Sequence, residues 1–314
     1  MPKNAVNYLK GLICVFENAN CASLSKIVGC SHDSLTRILN ERKLSWQILL
    51  ESFTLRIFGK LYDGWLIIDD TVVSKRFARR IENLAWVFDS KIGKSIRGLN
   101  IVLIAWSNGK ITVPLAIKIY RKKDKKTKID LAIELIEYAH FLLIEPKYIT
   151  FDSWYASEKL LKKIVSYKWT FVTQIKKNRK LNGIQVRKIY RHPYWMSQGE
   201  LSGGIIVSVV RNGKKYFATN DLTLTKKEIL SSYKGRWLIE TVFRALHSKL
   251  GIDKCESRSL HSQIAHFHFC LLAYIVLEKE KFITGKTIYQ IKRDCSFDFK
   301  KADSLLDKLI YEGA

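Results

Sequence analysis

The chain has 314 residues, of which 47% are hydrophobic, enough to bury a substantial core and to exclude a disordered polymer. Its 54 Lys and Arg against 29 Asp and Glu leave a formal net charge of +25. An excess that large points to a polyanionic partner, nucleic acid before an anionic membrane surface.

At roughly one domain per 150 residues, two compact units or one large one are expected. The longest near-continuous apolar run, Phe269 to Leu277, is too short to span a bilayer, and the N-terminus lacks the long apolar centre of a secretory signal. Six cysteines (Cys14, Cys21, Cys30, Cys255, Cys270, Cys295) form no C-x-x-C pair. A reduced, cytoplasmic setting without a membrane partner is therefore expected.

Residues 1–60 read as helical. CASLSKIVGCSHDSLTRIL (21–39) has the spelling of a helix-turn-helix. Leu24 and Val28 would face inward, Gly29 would make the turn, Cys30 would fill a small buried slot, and Leu35 and Ile38 would seat the second helix. ILLESFTLRIFGKL (48–61) repeats apolar residues at helical spacing. The pattern then changes. GWLIIDDTVV (64–73) is a short apolar run closed by two carboxylates, and two strand-like runs flank Asn108-Gly109, a hairpin signal. A helix around Ile129–Ile136, a strand in PKYITFDSWYA (146–156), a helix over 157–167 and a strand over 168–175 follow. This order predicts a mixed sheet with helices packed on it. Residues 176–224 carry a second hairpin around Asn212-Gly213. Thr225-Lys226-Lys227-Glu228 spells a capping box, opening a helix expected to run to Leu250 and stop at Gly251.

Asp69 and Asp70 close one apolar strand and Asp152 another. A carboxylate there is costly unless it is paired, hydrogen-bonded or bound to a metal. The ordinary reading of each alone is a capping Asp at a strand-to-loop junction. The downstream stretch SSYKGRWLIETVFRALHSKLG (231–251) adds weight. On a continuous helix Tyr233, Arg236, Glu240, Arg244 and His247 fall within an arc of about 80°. That stripe sets one Glu among cationic and aromatic groups, as in a metal ligand flanked by phosphate binders.

Three pieces, IIDDTVV (67–73), YITFDSWY (148–155) and YKGRWLIE (233–240), resemble in sequence and order the bacterial insertion-sequence DDE transposases marked by Y-x(2)-R-x(3)-E, the fourth insertion-sequence family and its relatives. The resemblance covers roughly residues 60–275. It implies an RNase H-like core with a β-rich insertion before the Glu helix. The corresponding layout is a helical DNA-binding region (1–60), the first part of the core (61–175), the insertion (176–224), the Glu helix and the rest of the core (225–280), and a helical tail (281–314). It implies a catalytic, metal-binding triad of Asp69, Asp152 and Glu240, with Asp70 the alternative to Asp69. Tyr233 and Arg236 match the remainder of the signature. The family has Lys seven residues after the Glu where this chain has His247; His247 or Arg244 would take that basic role.

The resemblance further implies two Mg²⁺ ions, with Mn²⁺ able to substitute. The implied partners are double-stranded DNA, namely terminal inverted repeats and a target, and a second copy of the chain in the synaptic complex. Basic clusters at 74–80, 121–128, 176–180 and 211–215 fit a DNA track, with Lys176, Lys177 and Arg179 among the candidate contacts. Trp154 and Tyr155, directly after Asp152, are candidates to stack on an unpaired base near the cut, and Trp195 in the insertion is a similar one; core packing is the ordinary reading of each. His261, His266 and His268 do not converge on a helix and read as structural. The chain has no phosphate-binding G-x-x-x-x-G-K-[ST] loop, so no nucleotide cofactor is expected. The rival readings are a nuclease that hydrolyses without joining and a DNA-binding protein that keeps the fold but not the activity.

Overall fold

The computed structural model describes residues 1–16, 18–89 and 92–310. Four helices open the chain: α1 (Lys3–Cys14), α2 (Cys21–Val28), α3 (His32–Leu39) and α4 (Trp46–Phe58). The α2–α3 corner follows its spelling closely. Asn20 and Ser31 cap the two helices, and Gly29 makes the turn in the left-handed region at φ 66°. Leu24, Leu35 and Ile38 are buried, whereas Val28 and Cys30 are only half-buried. The buried slot expected for Cys30 is therefore open on one side.

The central strands follow: β1 (Trp65–Ser74), β2 (Ala85–Asp89), β3 (Lys94–Ser107) and β4 (Thr112–Tyr120). Then come α5 (Lys128–Phe141), β5 (Tyr148–Phe151), α6 (Glu158–Ser166) and β6 (Phe171–Ile175). In the sheet β1 lies between antiparallel β3 and parallel β5, with β6 parallel to β5 beyond it. Both β4 and β2 pair with the far side of β3. Three antiparallel strands followed by two parallel ones is the RNase H-like arrangement the sequence implied.

The stretch after β6 contains β7 (Lys180–Leu181), β8 (Ile184–Gln185), α7 (Val186–Ile189), β9 (Tyr194–Leu201), β10 (Ile205–Asn212) and β11 (Lys215–Thr219). These strands do not form a sheet of their own. β11 pairs antiparallel with β6, so the core sheet continues through them to 11 strands.

Next come α8 (Lys226–Lys234), a 3-10 turn (Gly235–Trp237) and α9 (Leu238–Ser248). α10 (Leu260–Thr284), α11 (Ile288–Phe297) and α12 (Phe299–Ile310) complete the chain. By length and composition α10 could cross a membrane, which the run Phe269–Leu277 alone did not suggest, but 89% of its apolar window is buried inside the protein. It is the helix around which the others pack. The Tyr8 hydroxyl bonds His266 Nδ1 at 2.8 Å, and Tyr8 and Trp46 both pack on Phe269. One continuous hydrophobic core therefore runs from Ala5 to Leu306. His261 and His268 are tied to the carbonyls of Glu41 and Ile264, and His266 also reaches that of Gly251, so each histidine has a local partner.

Candidate functional site

The two parallel strands create the site. β1 and β5 run in register from Trp65 opposite Tyr148 to Ile68 opposite Phe151. Asp69 and Asp152 are the next residues on each, so they emerge side by side where the parallel ladder ends. β1 itself does not end there: it continues to Ser74 against β3. Asp69 and Asp70 therefore lie in mid-strand, where β1 loses its parallel neighbour but keeps the antiparallel one. Ligand sites commonly form at such carboxyl ends of parallel strands.

Strand alternation sends Asp69 and Asp70 to opposite faces. Asp70 accepts bonds from Lys128 Nζ (2.9 and 3.0 Å), Asn100 Nδ2 (2.7 Å) and the Tyr155 hydroxyl (2.8 Å). Its lone pairs are thus committed to a fixed cationic and phenolic cage. Asp69 accepts the Asp70 backbone N–H on Oδ1 and the Arg236 guanidinium on Oδ2, at 2.9 and 2.8 Å. Burial pushes the Asp69 carboxyl up to about 7, against the pull of Arg236 and with Asp152 and Asp70 adding to the rise. Asp152 makes an Asx turn, accepting the N–H groups of Trp154 and Tyr155 on Oδ1 at 2.8 and 3.2 Å.

Arg236 enters from the other half of the sequence. The helix expected over 225–250 begins as spelled, with Thr225 and Glu228 in a capping box, but the 3-10 turn at Gly235–Trp237 breaks it into two. The cause is tertiary. Trp65, at the start of β1, donates its indole N–H to the Ser232 carbonyl at 2.9 Å and lies flat against the turn. A Cβ at residue 235 would meet that indole at 2.6 Å, so only glycine lets the turn approach β1. Tyr233 therefore does not share an exposed stripe with Glu240. It is buried against Phe217 among Val172, Val210 and Ile229. Burial pushes its phenol up to about 12, with Arg236 pulling the other way. Gly251 has φ 62° but lies beyond the last turn of α9, which ends at Ser248.

Arg236 itself bridges the triad candidates. Nη1 bonds Asp69 and Nη2 bonds Glu240 Oε1 at 3.1 Å, with the guanidinium over the Trp237 ring. Burial works to lower its pKa, but Asp69 beside it reverses this and holds it raised. Its Nε is buried and lacks a partner. About two turns beyond Glu240, His247 Nε2 is 2.9 Å from the Thr71 hydroxyl, which ties α9 to β1 two residues past Asp69. Arg244 is exposed.

Among the described residues no group of three or more His, Cys, Asp or Glu side chains is gathered closely enough to hold a metal ion. Asp69 and Glu240 are held instead on the Arg236 fork, a cation already in place between them. The donor set remains all carboxylate, the hard-oxygen type that suits Mg²⁺ or Mn²⁺.

Of the remaining candidates, Trp154 is 43% exposed, with Lys128 Nζ 4.4 Å from the centre of its ring. It shares a cavity of about 260 Å³ with Lys176 and Arg179, which arrive on the loop after β6. Lys177 is exposed on the same loop, and Arg179 has Nε and Nη2 buried without partners. Tyr155 and Trp195 are corrections: both are buried, Tyr155 on Asp70 and Trp195 between Tyr190 and Tyr216, so neither is available to stack on a base. Sequence reasoning missed Asn100 and Thr71 and placed Lys128 only within a basic cluster.

A family model described as a transposase DDE domain matches residues 63–276. The chain belongs to this family of DDE-domain transposases. Families of this kind generally use divalent metal ions. Among solved structures, the chain is similar to the piggyBac transposase in a cryo-EM structure of its synaptic complex with hairpin DNA, at a TM-score of 0.61 and 11% identity, over 99% of this chain and 73% of that one. At that identity the likeness is one of fold: a large mixed sheet flanked by helices. No curated protein sequence matches the chain.

Proposed function

We propose that this chain binds the ends of a mobile DNA element, cuts them in a metal-dependent reaction and joins the freed 3′ ends to a target. The observation that carries the reading is the meeting of Asp69, at the end of the parallel ladder beside Asp152, with the Arg236–Glu240 pair of α9.

In this reading Asp69, Asp152 and Glu240 would hold two Mg²⁺ ions, and Asp70 serves as the structural neighbour that fixes the strand. When bound, such ions supply Lewis acidity at the phosphoryl oxygens and a water or hydroxyl that ionises near neutral pH. The protein's own groups do the rest. Arg236 exchanges its two carboxylates for the non-bridging oxygens of the scissile phosphate, which suit the same fork geometry. His247, held by Thr71, and Arg244 stand along the adjacent phosphates. Trp154, Lys176 and Arg179 line a cavity just past Asp152, where an unpaired base at the cut would stack beside a cation. The exposed face of α3, with Arg37, reads the element end, and two copies act together in the cytoplasm on a pair of ends.

The test uses purified protein, Mg²⁺ or Mn²⁺ and DNA containing the sequences that flank the coding region. End cutting followed by joined products supports the proposal. Cutting without joined products under the same conditions would leave a nuclease.

A further inference from the structure

The loop after β1 contains Phe77, 97% exposed, between Arg76 and Arg79-Arg80. A lone exposed apolar side chain is ordinary. This one stands at the tip of a loop pinned on both sides. Lys75 is buried and its Nζ donates to the carbonyls of Asp253 and Cys255, at 2.8 and 2.6 Å. The Lys75 N–H bonds the Arg97 carbonyl, the Ala78 N–H turns back to Lys75, the Glu82 N–H bonds the Arg258 carbonyl, and the Glu82 carboxylate accepts the Leu260 N–H. The loop walls a cavity of about 680 Å³, with Arg258 and Lys254 opposite. Two carboxylates also line it. Asp253 lies 3.7 Å from Lys254, and Glu256 accepts from Asn20. Arg76, Arg79, Arg80 and Arg258 are exposed, and among the described residues none is bonded to a carboxylate.

A rigid tip with one aromatic ring between unneutralised guanidiniums matches a partner that offers both phosphates and stacked π-faces. That partner is duplex DNA rather than a free anion or an acidic peptide. Apolar wedges inserted between base steps, flanked by Arg on the phosphates, are how proteins kink a duplex. Geometry sets the position. Asp69 and Ser74 are five residues apart on one strand, about 17 Å at 3.3 Å per residue, and Phe77 lies three residues further. At 3.4 Å per base step the ring falls about five to eight base pairs from a phosphate held at Asp69.

We propose that this loop is a second DNA-contact site. Phe77 wedges into the base stack about five to eight base pairs from the reacting phosphate, and Arg76, Arg79, Arg80 and Arg258 clamp the phosphates around it. This rests on the DNA-cutting reading above but concerns residues outside the carboxylate site.

The test is binding without chemistry: full-length protein in EDTA with duplexes taken from the flanking DNA, 2-aminopurine being placed at successive positions from the cut. Wild type should raise fluorescence at a position five to eight pairs away, about the span worked out above. Phe77→Ala should abolish that signal with affinity changed by about threefold or less, and Phe77→Trp should restore the perturbation, because the Arg contacts supply most of the affinity. Replacing Arg76, Arg79 and Arg80 together by Ala should cut affinity at least about tenfold and lower the salt slope by about three, one unit per phosphate contact. All four positions are exposed, so unchanged melting temperatures are expected and serve as the folding control. If Phe77→Ala keeps the fluorescence profile and the triple variant keeps wild-type affinity, the site is refuted while the carboxylate reading stands. Loss of self-association with DNA binding intact would assign the loop to a second copy and refute it equally. A wild-type protein that binds no duplex overturns the DNA reading itself, and this site with it.

Discussion

Arg236→Ala probes the junction between fold and chemistry. The guanidinium is 10% exposed and bonded to two carboxylates, Asp69 (19% exposed) and Glu240 (37% exposed). Removing one partner of a fully buried pair costs about 3–5 kcal/mol, and exposed pairs are worth under about 1. The Asp69 half stands near the buried limit and the Glu240 half must be discounted for solvent, so a loss of about 2–3 kcal/mol is expected. For a chain of this size that lowers the melting temperature by about 5 °C.

The same geometry fixes the response to metal. In the wild type an entering ion has to displace a bonded guanidinium; in the variant the carboxylates are vacated. Without DNA, Mn²⁺ should therefore raise the melting temperature of Arg236→Ala clearly more than that of the wild type. With DNA the cutting rate at saturating protein should fall by about a hundredfold or more, the worth of about 2–4 kcal/mol of preorganised charge at a reacting phosphate. DNA affinity should fall only by about the share of one phosphate contact. Thermal shift, single-turnover cleavage and gel shift separate the three effects. A variant as stable as wild type, with the same metal response, would refute the view that Arg236 neutralises the carboxylates. A variant that binds poorly but cuts normally once saturated would make it a general DNA contact.

Three further outcomes follow from neighbouring groups. Asp69→Asn should abolish cutting and also melt lower, because it leaves the Arg236 guanidinium without its buried partner, whereas Asp70→Asn should keep activity within about tenfold while melting lower, because it weakens the Lys128 and Tyr155 bonds; the reverse pattern of activities would exchange the two roles. His247→Ala should slow cutting by about tenfold, the scale of one hydrogen bond to a positioned group, and His247→Lys should recover it, measured in the same cleavage assay. Lys292 is fully buried, with its ammonium bonded to the Leu12 carbonyl, and burial pushes its pKa down to about 7 from an ordinary 10.5. Between pH 7 and 10 the unfolded chain holds a proton there that the folded chain has shed. Stability should therefore rise with pH across that window and be lowest below it. Lys292→Met should flatten the slope and stabilise the protein at pH 6, by up to about 5 kcal/mol, with a higher melting temperature. A wild-type stability independent of pH from 6 to 9 would contradict this.

Much of the layout was legible because it is local. The two Asn-Gly hairpins, the capping box at Thr225 and the Gly29 corner all follow from residue types at short spacing. What stayed hidden depends on residues far apart in the chain. Alternation requires Asp69 and Asp70 to face opposite ways, but which one faces α9 is decided by Lys128, Asn100 and Tyr155 on the other side. The break in the Glu helix was invisible to its own periodicity, since Trp65, 170 residues before Gly235, causes it. The helix-turn-helix spelling likewise says nothing of Tyr8 bonding His266. That contact ties the first helix into the common core, so end recognition is better tested by Arg37→Ala than by deleting residues 1–60.

The most direct measurement is single-turnover cleavage of a flanking-DNA duplex by four proteins with Mn²⁺: wild type, Asp69→Asn, Asp152→Asn and Glu240→Gln. The account predicts that the wild type cuts at the element ends and generates a 3′-OH that joins to a second duplex. Each variant should bind the DNA but lose cutting by at least about a thousandfold, as expected when a ligand of a metal-assisted reaction is removed. Cutting at the wild-type rate by the Asp69, Asp152 or Glu240 variant would contradict the assignment of this carboxylate cluster as the active site.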